Sequence, residues 1–534
     1  MTKRSGRANR GSRRAPAGNR RVLLVGVDIA DGALIDRWCR EGHLPHFRAL
    51  REEGVWGEPR TAAEILHVSA WPTVHTGTLP GKHGIYHAYQ VRAGEQGIRR
   101  ARAQDQAMPP FWKFLDEAGR RCLVADAFFA HPVEPFAGIQ VHEYGTWTWF
   151  SDPETVPRAI GKEIRRLFGA YPFPEHTKVL TVPDPRWLRD RLRAALSLKS
   201  KVNRWLLREH PWDFAYVNFA ETHAAGHYLW HIVDSSYPAH RPEEARGLEH
   251  ALRDVYAAVD EALGELLAET DDSVHVLVVS ADGMGPNYAG CHLIPGVLRR
   301  LGVYFAPGAG EGEEVGGRAS GPGLLSRARR LVPLRLRQEV TRRIPRALHY
   351  RMSTKWASHG IDWERTKAYV VPNANEGYVR LNLKGREPRG IVEPGPEAEE
   401  LLAFLEASLG DLVNPENGAR AAARIARAQE LFPGKESAHL PDLVVTWSPE
   451  ARILDAVESP AAGRVTGGPG YAIAPYYTGN HRPNAFVAAR GPEFRAGSLL
   501  GAEHLVGLAP TILGLLGCDV PSDMDGGVWE SLVR

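Results

Sequence analysis

Cysteine is scarce: Cys39, Cys122, Cys291 and Cys518 are the only four in 534 residues. They are widely spaced, and no CxxC pair occurs. That excludes a disulfide framework and a thiolate metal knuckle, and it fits a reducing cytoplasmic setting. Net charge is nearly absent too. Sixty-six Lys and Arg face 63 Asp and Glu, leaving +3, which argues against a nucleic-acid binder that works by bulk charge. Long hydrophobic runs are missing, so the sequence predicts no membrane span. Acids are missing from the first 21 residues, MTKRSGRANRGSRRAPAGNRR. Residues 1–19 therefore read as a disordered basic tail. No apolar h-region follows these charges, so the stretch does not read as a secretory signal.

What remains is a chain of short apolar runs separated by helical patterns. RRVLLVGVDIAD, CLVADAFFA, WDFAYVNFAE, SVHVLVVSAD and NAFVAARGP are each short enough for buried strands. Their alternation with helices predicts an α/β fold with a mainly parallel sheet covered on both faces. In such sheets ligands collect at the carboxyl ends of the strands. Asp28, Glu221 and Asp282 each follow one of the runs, which nominates a shared site. Residues 20–534 are expected to form one domain with cap insertions at about 90–205 and 306–360. The first is rich in Trp, Phe, Pro and Arg. The second opens on a Gly/Glu-rich loop and continues into a basic helical stretch, which reads as a solvated cap helix.

Three stretches carry chemistry. His223 and His227 are four residues apart, so they share one helix face and can bind one metal. Asp282 lies in Ser280-Ala281-Asp282-Gly283, at a strand end where glycine permits close approach of a ligand. The stretch from His67 to His87, HVSAWPTVHTGTLPGKHGIYH, reads as a helix that starts near Pro72 and ends at Thr76-Gly77. His75, His83 and His87 within it read as structural. GTWTWF, residues 145–150, reads as core packing.

The order of these elements resembles the alkaline phosphatase superfamily, in its type I phosphodiesterase/nucleotide pyrophosphatase branch. The matching parts are the strand ending at Asp28 and the TG…P..HGI of Thr76-Gly77 and Pro80 to Ile85. His223-x-x-x-His227, Ser280 to Gly283, Gly479-Asn480-His481 and the ending at residues 509–526 complete the match. The resemblance implies an alkaline-phosphatase-like fold and a metal-dependent hydrolase of phosphodiesters or related phosphoryl or sulfuryl esters. An ungapped count from Thr76-Gly77 puts the family's hydroxyl nucleophile on His67. The first acid of D-x-x-x-H falls on His223, and the Asp-His of SDHG falls on Ala281 and Asp282.

The resemblance thus implies two metal sites with redistributed ligands. One is His223, His227 and His481; the other is Asp28, Asp282 and His67. Three imidazoles with an open position suit Zn²⁺, and the second set also suits Mn²⁺ or Fe²⁺. His67 is expected as a metal ligand, with a nitrogen nucleophile as the alternative, and Ser69 as the nearest substitute hydroxyl. Asn373, Asn375 and Arg380 are candidate substrate contacts, whereas Asn382 and Arg386 suit a hairpin. The implied partner is an anionic small-molecule substrate. A different reaction class on the same scaffold, or a silent binding protein, are the rival readings. Oligomeric state is not legible.

Overall fold

The computed structural model describes residues 20–102, 105–145, 153–172, 184–306, 361–467, 477–501 and 503–532. The basic tail, the segment 146–150 and the expected insertion over 307–360 lie outside the described residues.

An eight-stranded sheet forms the centre. Strand Arg21–Val27 lies in its middle, parallel to Phe214–Phe219 on one side and to Val274–Ser280 on the other. Phe214–Phe219 continues in parallel to Cys122–Ala125 and then Ile139–His142. The outer strands run antiparallel: Phe486–Arg490 and Val55–Gly57 on one flank, Glu154–Val156 on the other. Every residue of Phe214–Phe219 and Val274–Ser280 is buried, as parallel strands covered on both faces require. The helices Pro185–Glu209, Glu221–Val233 and Ala251–Leu267 pack against one another. Elsewhere Ala70–Thr76 packs on Leu508–Leu515.

The chain leaves Arg21–Val27 with parallel neighbours on both sides, which makes its carboxyl end the switch point where ligands collect. Asp28 sits there. Glu221 and Asp282 come just after the two adjacent strands, so the three acids sit at neighbouring strand ends, although the Glu221 side chain pairs with Tyr171 and Lys199.

The expected insertion at 90–205 needs correcting. Cys122–Ala125, Ile139–His142 and Glu154–Val156 from that region are members of the central sheet. The inserted unit lies instead between Val274–Ser280 and Phe486–Arg490. It has a four-stranded antiparallel sheet in the order Ala368–Val371, Gly377–Leu381, Leu443–Trp447, Ala422–Arg427. Helices Ile294–Arg300 and Pro396–Gly410 pack on it over a separate apolar core that includes Leu298, Val379, Leu405 and Val445. The short loop between its first two strands, residues 372–376, reaches His67, which follows the sheet strand Val55–Gly57 in the chain.

Candidate metal centre

Only Ala220 separates strand Phe214–Phe219 from helix Glu221–Val233, so the first turn of the helix is fixed at the sheet's carboxyl edge. His223 and His227 project from one face, with ring centroids 4.8 Å apart. A two-stranded ribbon, Gly283–Pro286 against Gly479–Arg482, lies beside them and pairs Met284 with His481. The helix backs closely onto this ribbon. A Cβ on Gly479 would fall 2.1 Å from the Gly226 carbonyl oxygen, and one on Gly226 would fall 2.7 Å from Met284. Glycine at both positions lets the third imidazole join the first two. The ligand atoms of His223, His227 and His481 all lie within 4.8 Å of one another.

Each ring is oriented through Nδ1. His227 Nδ1 donates to the Gly479 carbonyl at 2.8 Å, which fixes the tautomer and leaves Nε2 a lone pair. His223 Nδ1 meets Asp28 Oδ2 at 2.7 Å, and His481 Nδ1 meets Asp282 Oδ2 at 2.6 Å. Asp28 is fully buried and is itself held by Trp71 Nε1, which donates to Oδ1 at 2.6 Å. Carboxylate–imidazole pairs of this kind orient a metal-binding ring and raise its basicity. The donor set therefore fits a divalent ion held by three neutral imidazole nitrogens.

The second expected set is not assembled in that way. Among the described residues, Asp28, Asp282 and His67 do not form a group with ligand atoms this close. Asp28 and Asp282 face imidazoles instead. His67 pairs with a residue the sequence reading passed over: its Nδ1 lies 2.6 Å from Glu376 Oε2, and its Nε2 lies 2.6 Å from Asn375 Nδ2. The His67 ring is 4.2 Å from that of His481, so this pair flanks the triad. Asn373 Nδ2 and the Tyr378 hydroxyl both donate to Glu376 Oε2, at 3.1 Å.

The electrostatics follow from burial. Desolvation, with Asp28 and Glu376 nearby, pushes the Asp282 carboxyl well above its ordinary range. Desolvation and the imidazoles of His67, His227 and His223 push His481 well below its own. A bound cation would reverse the first effect and reinforce the second, since it favours a charged carboxylate and a free nitrogen lone pair. Burial works against the Glu376 charge, yet the adjacent His67, the Asn373 amide and a backbone hydrogen bond together hold the carboxyl below its usual value. Tyr477 stacks on His227 with centroids 3.8 Å apart, and its hydroxyl meets His227 Nε2 at 2.7 Å. Burial and Glu376 keep that phenol protonated.

Other expected residues lie elsewhere. Ser69 is buried, and its hydroxyl donates to the Ile85 carbonyl at 2.9 Å, away from the triad. Arg380 is fully buried in the second unit. It donates to Glu387 at 2.8 Å and to the carbonyls of Leu440 and Ala438, so the expectation of a substrate contact is replaced by a structural role. Asn382 and Arg386 brace the same unit through Thr366 and Asp442, as read from the sequence. Glu221 turns from the histidines to Tyr171 and Lys199. His83 meets Thr73 and the Ile85 amide, a structural role.

Most of the chain matches a known family. The family model for type I phosphodiesterase / nucleotide pyrophosphatase aligns with residues 22–472. The chain belongs to this family. It is accordingly a hydrolase of the phosphodiesterase/pyrophosphatase type, with an alkaline-phosphatase-like fold. Members of the type I phosphodiesterase family are typically dinuclear metal enzymes. No curated protein sequence matches the chain.

Solved structures give remote likenesses to this family member. Phosphonoacetate hydrolase from Sinorhizobium meliloti 1021, in complex with phosphonoformate, is 13% identical, with a TM-score of 0.47 over 97% of this chain and 99% of that one. Murine ectonucleotide pyrophosphatase/phosphodiesterase 5, an inactive variant in complex with AMP, is 12% identical, with a TM-score of 0.44 over 96% and 100%. The human counterpart is 11% identical, with a TM-score of 0.43 over 96% and 100%.

Proposed function

We propose that this hydrolase is metal-dependent, cleaves a phosphodiester or a related phosphoryl or sulfuryl ester, and holds its ion on His223, His227 and His481. The observation that carries the reading is the convergence of three imidazoles, each with Nδ1 engaged by a carboxylate or carbonyl. Zn²⁺ suits three nitrogen donors best, and Mn²⁺ or Fe²⁺ are compatible. An ion there would set positive charge against the oxygens of an anionic substrate. Asp28 and Asp282 serve as ring anchors in this reading. Asn375 contacts substrate beside them, and Asn373 steadies Glu376. Coordination requires His227 Nε2 to exchange its Tyr477 partner for the ion. Among the described residues no helix is long and apolar enough to cross a membrane. The four free cysteines support a reducing, cytoplasmic setting.

The test is turnover of an aryl phosphodiester against the matching monoester. The diester is expected to react faster, chelation to abolish the activity, and Zn²⁺ or Mn²⁺ to restore it. If metal-loaded protein turned over no phosphodiester, phosphomonoester or sulfate ester, the reading would fall, and a different reaction class or a binding role would replace it.

A further inference from the structure

We propose that the Glu376–His67 pair supplies the nucleophile of this hydrolase, with His67 Nε2 forming a transient nitrogen–phosphorus bond to the substrate. The inference rests on the phosphodiesterase reading and takes it into the chemistry of the attacking atom.

Three observations carry it. First, the pair has the geometry of a carboxylate-oriented imidazole. Glu376 accepts from His67 Nδ1 at 2.6 Å, which leaves the lone pair on Nε2 and makes that nitrogen more basic. Glu376 is held in turn by Asn373 and Tyr378. Second, the ring stands beside the triad without belonging to it. It is 4.2 Å from His481, yet its nitrogens fall outside the group of three that can share an ion. A lone pair spent on a metal could not attack phosphorus, and among the described residues the close group of potential ligands does not include this ring. Third, the neighbouring hydroxyls are committed elsewhere. Ser69 donates to the Ile85 carbonyl, Thr222 to the Asp28 carbonyl and Ser280 to the Asp282 carbonyl, at 2.6–2.9 Å.

The group that meets Nε2 is the Asn375 amide, at 2.6 Å. Its Oδ1 is buried without a hydrogen-bond partner, and beside His67 the amide also meets the Tyr477 hydroxyl. On substrate entry the NH₂ exchanges Nε2 for a phosphoryl oxygen and exposes the nitrogen to phosphorus.

The step balances without a further reactant. The Nε2 lone pair forms the N–P bond as the bond from phosphorus to the leaving alkoxide or aryloxide breaks. The departing oxyanion takes a proton from water. The hydroxide left behind attacks phosphorus, and the N–P electron pair returns to Nε2. Nδ1–H stays on Glu376 throughout, where the carboxylate offsets the positive charge of the substituted ring. The sum is one ester and one water to one alcohol and one phosphate monoester.

Stereochemistry at phosphorus tests this directly. Two in-line displacements give net retention, and one gives inversion. With a P-chiral aryl phosphorothioate diester in heavy-oxygen water, retention is expected. An alkaline rapid quench should show an acid-labile adduct on the His67 peptide. His67→Asn should lose the adduct and turnover while keeping its metal. Glu376→Gln should lower kcat about 10- to 100-fold, as loss of an orienting partner typically does, with KM and metal content unchanged. Inversion, an adduct on another residue, or an undiminished kcat in Glu376→Gln would overturn the assignment. Turnover with inversion removes only the role of His67. Absence of all turnover removes the phosphodiesterase reading and this inference together.

Discussion

Glu376 and His67 stand 309 positions apart in the chain, and their side chains meet at 2.6 Å. The acid comes from a loop of the small antiparallel sheet; the imidazole comes from the stretch that follows strand Val55–Gly57. The second unit therefore supplies one partner of the pair, and its 372–376 loop has to dock for the contact to form.

The triad predicts where metal is lost. His227→Ala and His481→Ala each remove one of three nitrogen donors and should each lower ion occupancy. Asp28→Asn keeps the donors but weakens the orientation of His223, and should weaken metal affinity about 10- to 100-fold. Elemental analysis with chelator competition measures both. Stoichiometric binding by the double alanine variant would exclude the triad.

Ser69→Ala should keep its metal and most of its activity. The lost hydrogen bond to the Ile85 carbonyl is buried, so unfolding free energy should drop by about 1 kcal/mol. Urea titration reads the second effect and steady-state kinetics the first. A fall in kcat of about a million-fold, the order seen when a nucleophile is removed, would return the attack to this hydroxyl.

Arg380→Met should act on stability and leave substrate binding intact. It strips Glu387 of one of its two arginine partners, leaving Arg386 at 3.0 Å, and frees two carbonyls. Breaking a buried pair from one side costs about 3–5 kcal/mol when the remaining charge is left alone, and the retained Arg386 sets the expected loss below that. A lower melting temperature with unchanged KM in the folded fraction is the expected result. A raised KM without destabilisation would make Arg380 a substrate contact after all.

Acid should weaken the fold well before carboxylates titrate. His75, His83 and His142 are buried and held down to about 3, chiefly by desolvation. Their ordinary value is about 6.5. Between those limits the unfolded chain binds more protons, so stability falls as pH drops below about 6.5 and levels off near 3. Each such histidine contributes a slope of about 1.4 kcal/mol per pH unit. Urea midpoints across about pH 5 to 8 measure the sum, and a flat profile there would show these rings solvated.

The central strands and the acids at their ends were legible, because both are local signals. An apolar run of five to seven residues closing on Asp28 or Asp282 needs no distant partner to be recognised. The His223–His227 pair was legible for the same reason, since a spacing of four on a helix places two rings together whatever the surroundings. Membership of the sheet was less so. Cys122–Ala125 lies in a Trp- and Pro-rich region that reads as an insertion. The run CLVADAFFA reads as a strand, and the pairing with Phe214–Phe219 is what places Cys122–Ala125 in the central sheet. Glu376 was passed over although Asn373 and Asn375 beside it were singled out. One acid in a polar loop carries no spacing signal, and its partner lies in another unit.

The sequence by itself determined the donor chemistry: four imidazoles and two aspartates at sites where a parallel sheet gathers its ligands. The tertiary structure decided which of them acts on which. Asp28 and Asp282 became anchors of His223 and His481, the carbonyl of Gly479 became the anchor of His227, and Glu376 took His67. The physical reason is range. Side-chain type and helix or strand period are fixed within a few residues of chain. A hydrogen bond closes only within about 3 Å, and its partner is chosen by how segments hundreds of residues apart pack together.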